Sequence, residues 1–206
     1  MRKGRNRIDY EVIVELVEQG SRVLDLGCGD GELLELLSRE KNITGQGIEI
    51  DEANITRCIA RGANVIHGNL DEGLADYSSG SFDYVVLNQT LQVVHKPDYV
   101  IQEMVRVGKK GIVGFPNFAY YRIRMQLFFT GKMPKTRELP FEWYNTPNIH
   151  LLTIKDFERF CRENNIKIIK RIFFSGSSMV NPYLFPNLLA KGAIYVIQKA
   201  TPSADK

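Results

Sequence analysis

The sequence predicts a doubly wound α/β domain: an open, mostly parallel sheet of seven strands with helices on both faces. Three observations carry the prediction. Short apolar runs alternate with stretches of helical periodicity through the first half of the chain. A glycine-rich turn, Gly27-Cys28-Gly29-Asp30-Gly31, follows the first apolar run at once. Residues 82–87 form an apolar run of the kind carried by parallel strands buried on both faces.

The elements follow in order. Residues 9–19 read as a helix, because Val12, Ile13, Leu16 and Val17 recur at helical spacing and Gly20 ends it. Residues 22–26 are the first strand. Leu33, Leu34, Leu36 and Leu37 form the apolar stripe of the helix beyond the glycines. Residues 43–50 and 51–61 repeat the strand–helix pair, and Val65 and Ile66 mark a third strand. The fourth strand, 82–87, is followed by a helix over 98–107 and a fifth strand over 111–115. Alternation of this kind means parallel strands joined by right-handed crossovers, with the ligand outside their carboxyl ends.

The pattern breaks at Pro116. It resumes at Thr153, which with Asp156 three residues on resembles a capping box. The helix that starts there runs to about 164. Residues 166–174 and 193–199 are the sixth and seventh strands, and 175–178 read as a turn. The tail 201–206 is polar and expected to be disordered. Between the two halves lies an insertion, residues 115–150. It holds Phe115, Phe118, Tyr120, Tyr121, Phe128, Phe129, Phe141, Trp143 and Tyr144, out of 11 Phe, 9 Tyr and 1 Trp in the chain. A solvated loop would not carry that load, so the insertion covers the pocket, packs on the sheet or meets a partner. Within it, 121–127 alternates polar and apolar residues and leaves helix and strand both open.

A chain of 206 residues suits one domain of this type, here 1–206 with its insertion. A net charge of +3 is too weak to imply nucleic acid, and no apolar run reaches the eighteen or so residues that a membrane span needs. The basic residues before Ile8 lack the apolar stretch of a secretory signal. Cys28, Cys58 and Cys161 are odd in number and widely spaced, which argues against a disulfide framework or a metal site and for a reducing, cytoplasmic compartment.

The glycine turn is the centre of the functional reading. Residues without a Cβ let a ligand approach the backbone, and the helix start beyond offers free N–H groups. The dinucleotide fingerprint wants G-x-G-x-x-G, but here Gly27, Gly29 and Gly31 give G-x-G-x-G and Glu32 stands at the third position. Asp30 and Glu32 would also repel a phosphate. S-adenosylmethionine, or its product S-adenosylhomocysteine, fits better: neither has a phosphate, and the amino group is cationic. Asp25, at the end of the first strand, is placed to attract that ammonium. Glu49, ending the second strand, is placed to accept hydrogen bonds from ribose hydroxyls, with Ile50 beside it against the adenine. Asn69-Leu70-Asp71 follows the third strand, and Asn88 and Gln89 the fourth, on the methyl-transfer face.

Asp25-x-Gly27-x-Gly29-x-Gly31 resembles the complete first motif of the class I S-adenosylmethionine-dependent methyltransferases, a Rossmann-like fold. In those enzymes an acid or amide after the third strand meets the adenine amino group, so the resemblance implies that role for Asn69 or Asp71. From Pro116 onward the chain is similar to a narrower family, MetW of methionine biosynthesis. The residues that carry this are Gly114-Phe115-Pro116-Asn117-Phe118, Gly131-Lys132-Met133-Pro134, the run from Phe141 to His150, and Thr153-Ile154-Lys155-Asp156-Phe157, with Leu87 to Gln92 and Glu103 to Gly108 before them. That resemblance implies an accessory or activating protein acting with homoserine O-acetyltransferase. A small-molecule methyltransferase is the alternative. A third possibility combines the two, with S-adenosylmethionine tuning the partner.

Many small-molecule methyltransferases carry Leu-Glu-His after the fourth strand; here the run is Leu91-Gln92-Val93, so the acid and the base are both missing. His150 is read as an anchor of the insertion, His67 as near the adenine or packed, and His95 as a surface turn residue on a different face. Cys28 sits at a helix start, where a thiol pKa can fall, but packing is the preferred role. Trp143 and Tyr144 either close over a ligand or anchor a partner. Arg122, Arg124, Lys132, Lys135 and Arg137 form a loose basic group read as a solvated face or a contact for an acidic surface. No catalytic residue is assigned.

Overall fold

In the computed structural model, described over residues 7–200 apart from 137, 138, 177 and 182, the strands follow the spacing of apolar residues closely. β1 (Arg22–Leu26), β2 (Thr44–Glu49), β3 (Val65–His67), β4 (Phe82–Asn88) and β5 (Gly108–Pro116) are parallel. β6 (Ile166–Ser175), β7 (Ser178–Val180) and β8 (Gly192–Lys199) complete one sheet of order β3-β2-β1-β4-β5-β8-β6-β7. β8 runs antiparallel to both β5 and β6, and β7 antiparallel to β6. The sheet therefore has eight strands, not seven. The extra one is three residues long and pairs through the turn at Gly176, too short to show a period. The order reverses between β1 and β4, which sets the switch point beside the glycine turn.

Side chains alternate across the strands, so one run of sequence feeds two cores. Val23, Tyr84 and Val86 pack beneath α1 (Ile8–Leu16) and α2 (Glu32–Lys41). Leu24, Leu26, Val85 and Leu87 pack on the opposite face, beneath α4 (Pro97–Val107) and α6 (Ile154–Glu163). Each such side chain is worth about 1.5–3 kcal/mol on burial. α3 (Glu52–Ala60) buries only Cys58, which closes a small cluster with Cys28 and Leu34.

Several boundaries differ from expectation. α1 ends at Leu16, because Val17 turns to extended backbone and buries itself in the core. Residues 121–127, ambiguous in sequence, belong to α5 (Tyr121–Thr130). A short helix, α7 (Pro186–Leu189), lies between β7 and β8. The capping box at Thr153 is formed in full: its hydroxyl accepts from the Asp156 N–H while the Asp156 carboxylate accepts from the Thr153 N–H. The tail 201–206 and Arg137 lie outside the described residues. No helix is long and apolar enough to cross a membrane among the described residues.

Candidate functional site

At the carboxyl ends of β1 to β4 the structure opens a cleft of about 400 Å³, in the range of small-molecule sites. Gly27, Glu49, Ile50, Asn69 and Leu70 line it, so five of the residues singled out from the sequence meet there. Asp71 lines it too. So do Thr90, Val93 and His95, from the loop after β4, to which sequence reasoning gave no role in binding the ligand.

The three glycines of the turn have positive φ for different reasons. A Cβ on Gly27 would sit 2.6 Å from the Thr90 methyl, and one on Gly31 would sit 2.7 Å from Cys58 Sγ. Those two let the β4 loop and α3 close in. Gly29 has open space where its Cβ would be, and its N–H is taken by Glu49.

Asp25 ends in the buried region beneath the turn and is 3% exposed. Burial, reinforced by the negative field of Glu49, pushes its carboxyl up to about pKa 7. Among the described residues no hydrogen bond or ion pair reaches that carboxylate. A buried acid without a partner carries a large desolvation cost; Asp25 is not among the residues that line the cleft.

Glu49 is committed in part. One oxygen accepts from the Gly29 N–H at 2.8 Å and the other from the Ile50 and Asp51 N–H groups at 2.9 and 3.0 Å. A carboxylate offers about four lone-pair sites, so one remains for a ribose hydroxyl. Ile50, expected against the adenine, is 58% exposed on the cleft wall.

Asn69 and Asp71 both line the cleft, and the alternative between them stays open. Both Asp71 oxygens accept backbone N–H groups, from Lys96 at 2.7 Å and His95 at 3.2 Å. Asn69 caps the 3-10 turn Leu70–Glu72 through its side-chain oxygen, donates from its amide nitrogen to Glu72 Oε1 at 3.3 Å, and lines the cleft.

Other expected residues point elsewhere. Asp30 turns outward to Arg61 at 2.9 Å. The Cys28 side chain faces inward, 4.0 Å from Cys58 Sγ, and burial pushes its thiol pKa up; desolvation outweighs any help from the helix start. Asn88 donates to Asp9 on α1 at 2.8 Å, and Asp9 is held in turn by Arg7. Despite its burial, those hydrogen bonds keep Asp9 below the usual carboxylate range. Gln89 takes a left-handed φ of 59°. Neither Asn88 nor Gln89 lines the cleft. His67 is exposed on the edge strand β3 and also lies off the cleft, where a role near the adenine or in packing was expected. His95 keeps its surface turn and borders the cleft as well.

Val93, where many methyltransferases have a histidine base, is on the cleft wall. Its neighbour Gln92 is buried, and the Gln92 carbonyl accepts the N–H groups of Ile149 (2.9 Å) and His150 (3.1 Å). The end of the insertion is thus anchored one residue from the cleft. Among the described residues, none from the insertion lines the cleft itself.

The family model described as "Methionine biosynthesis protein MetW" matches residues 7–197. The "Bifunctional methionine biosynthesis protein MetXA/MetW" of Rhodopirellula baltica is 36% identical over 203 residues, covering 93% of this chain and 33% of that protein. The chain thus spans about a third of that relative. A ubiquinone biosynthesis O-methyltransferase of Pectobacterium atrosepticum is 32% identical over 96 residues, 45% of this chain and 40% of that one. Among solved structures, a methyltransferase from Archaeoglobus fulgidus superposes with a TM-score of 0.67 at 16% identity, covering 95% of this chain and 92% of the other. One from Mesorhizobium loti gives 0.69 at 14% identity, covering 94% and 99%. At such identities these structures speak for the fold, which is that of the class I methyltransferases.

Proposed function

The chain belongs to the MetW family of methionine-biosynthesis proteins, and on that premise we propose that it binds S-adenosylmethionine and acts as an accessory subunit of homoserine O-acetyltransferase. The observation that carries the cofactor half is the buried, unpartnered Asp25 carboxylate beneath the glycine turn. An ammonium group would restore its charge. Glu49 would take a ribose hydroxyl with its remaining lone pair, Ile50 would cover the adenine, and Asn69 or Asp71 would meet its edge. Gly27, Gly29 and Leu70 would shape the walls. The backbone at Cys28, Asp30 and Gly31 would hold the turn. Bound, the group would supply a cationic sulfonium and an electrophilic methyl.

Two observations support an accessory role over catalysis. Val93 stands on the cleft wall where a base would be expected, and the insertion is anchored to Gln92 next to it. A ligand in the cleft thereby touches the loop that holds the insertion, a route by which the end product of the pathway would bias partner binding. The R. baltica relative, whose name joins MetXA to MetW in one chain, supports the pairing. All three cysteines are free and buried, which supports a cytoplasmic setting. Residues 1–206 act on this reading as one domain.

The test is gel filtration of the chain with the homoserine O-acetyltransferase of the same organism, with and without S-adenosylmethionine. Co-elution that shifts with the ligand is expected. Separate elution in both buffers sinks the accessory reading.

A small-molecule methyltransferase is the second reading, favoured by the match to an O-methyltransferase over 45% of this chain. Labelled methyl transfer to a cell extract would then appear without the partner enzyme.

A further inference from the structure

The exposed large apolar side chains fall mainly in two segments that are distant in sequence. The first is residues 121–144. Phe128 and Phe129, 81% and 71% exposed, meet edge to face with ring centroids 5.1 Å apart. Trp143, 74% exposed, meets Tyr144 in the same way at 5.6 Å. The second is residues 183–188, where Tyr183 is 94% exposed and Phe185 72%.

The two segments adjoin. Arg124 of α5 donates to the Asn187 carbonyl at 3.4 Å, and Asn117 donates to the carbonyls of Asn187 and Ala190 at 3.1 and 2.8 Å. The contact at Asn187 sets the two segments side by side, and among the described residues neither lines the cleft.

Two features of this face are costly in an isolated chain. α5 buries none of its ten residues, and a helix of that length is marginal in water without packing. Phe185 holds a left-handed φ of 46°. A bulky residue adopts that conformation at a cost, here with its ring left in solvent.

Charge identifies the kind of occupant. Residues 121–144 contain Arg122, Arg124, Lys132, Lys135 and Arg137 against two acids, Glu138 and Glu142, and with Lys135 paired to Glu142 at 2.6 Å an excess of basic groups remains. A second copy would bring like charge against like. A protein surface with an apolar centre and an acidic rim would match both the aromatic rings and the basic groups around them.

We propose that this composite face is the docking surface for an acidic protein partner, and, resting on the reading above, that the partner is homoserine O-acetyltransferase. The insertion is then an interface and not a lid over the cleft.

The experiment is biolayer interferometry of the full chain against that acetyltransferase at two salt concentrations. One variant combines Phe128→Ala with Phe129→Ala. Another combines Tyr183→Ala with Phe185→Ala. Ile59→Ala, exposed on α3 away from the face, is the control. Each double variant is expected to weaken binding at least tenfold, as interface aromatics do. The control is expected to bind like the parent, and binding to weaken as salt rises. Melting curves confirm that each variant folds.

If the parent forms a complex and both double variants bind equally well, the docking proposal fails and the accessory function stands. If the parent forms no complex, the docking proposal and the accessory function fail together. If the parent instead self-associates and the variants do not, or sediments with phosphatidylserine vesicles and not with the enzyme, the occupant is a second copy or a membrane, and the proposal is overturned.

Discussion

The cleft at the strand ends and the aromatic face solve opposite problems with the same chain. In the cleft, backbone and buried groups are arranged before any ligand arrives: Glu49 ties Gly29 to the end of β2, Asp71 holds the loop after β4, and Asp25 lies in the interior uncompensated. On the aromatic face, large apolar side chains stand in solvent around a helix that buries nothing. The difference teaches that strain sits in a charge at the first site and in uncovered area at the second. Substitutions should therefore separate them.

The largest effect is expected inside the turn. Gly31→Ala forces a Cβ to 2.7 Å from Cys58 Sγ at a φ of 78°. Left-handed strain and overpacking together should cost about 2–4 kcal/mol in urea unfolding. Gly29→Ala, with open space around it, should cost only about 1 kcal/mol yet weaken ligand binding. Equal losses of stability would break the distinction between a packed glycine and an unobstructed one.

Next is Asp25→Asn. Removing the charge without the shape should lower affinity for S-adenosylmethionine about 100-fold by calorimetry, the worth of one charge-assisted hydrogen bond. The Phe128 and Phe129 double variant should leave that affinity within about twofold. Loss of cofactor binding in both would merge the two regions into one site.

The pH dependence is a smaller effect. The folded pKa of Asp25, about 7, is above the ordinary carboxylate value. The stability this group contributes is therefore full below about pH 4 and is lost as pH rises through 7. Asp25→Asn should flatten that slope and leave the ligand-free protein more stable than the parent at pH 8. A cationic ligand needs the ionised acid, so affinity should rise about tenfold from pH 5.5 to 7 in the parent and not in the variant. A flat profile in the parent would remove Asp25 from the site.

Smallest is the effect of Trp143→Ala on folding. An exposed ring outside the core should change stability by less than about 0.5 kcal/mol. A loss of several kcal/mol would mean that the ring supports the insertion from within and is no anchor.

Much of this was legible in the residues. The glycine spacing located the turn, and the ends of β2 and β3 located Glu49, Ile50, Asn69 and Asp71 on the cleft, because a βα unit opens its cleft at the same place each time. Other points were not legible. Cys28 looked like part of a helix start, but its side chain turns under β2 beside Cys58. Asn88 looked ligand-facing, yet Asp9 on α1, 79 positions away, claims its amide. Val93 and His95 joined the cleft because the chain after β4 makes turns with no period to read.

From local pattern alone the alternation of strands and helices, the parallel half of the sheet and the backbone conformation of the glycine turn could be read. These follow from local periodicity and from conformations that glycine adopts easily. The tertiary structure alone decided which acids remain unpaired, which loop residues border the cleft, and that segments 121–144 and 183–188 lie side by side. Those depend on contacts between residues far apart in the chain, and no local pattern encodes them.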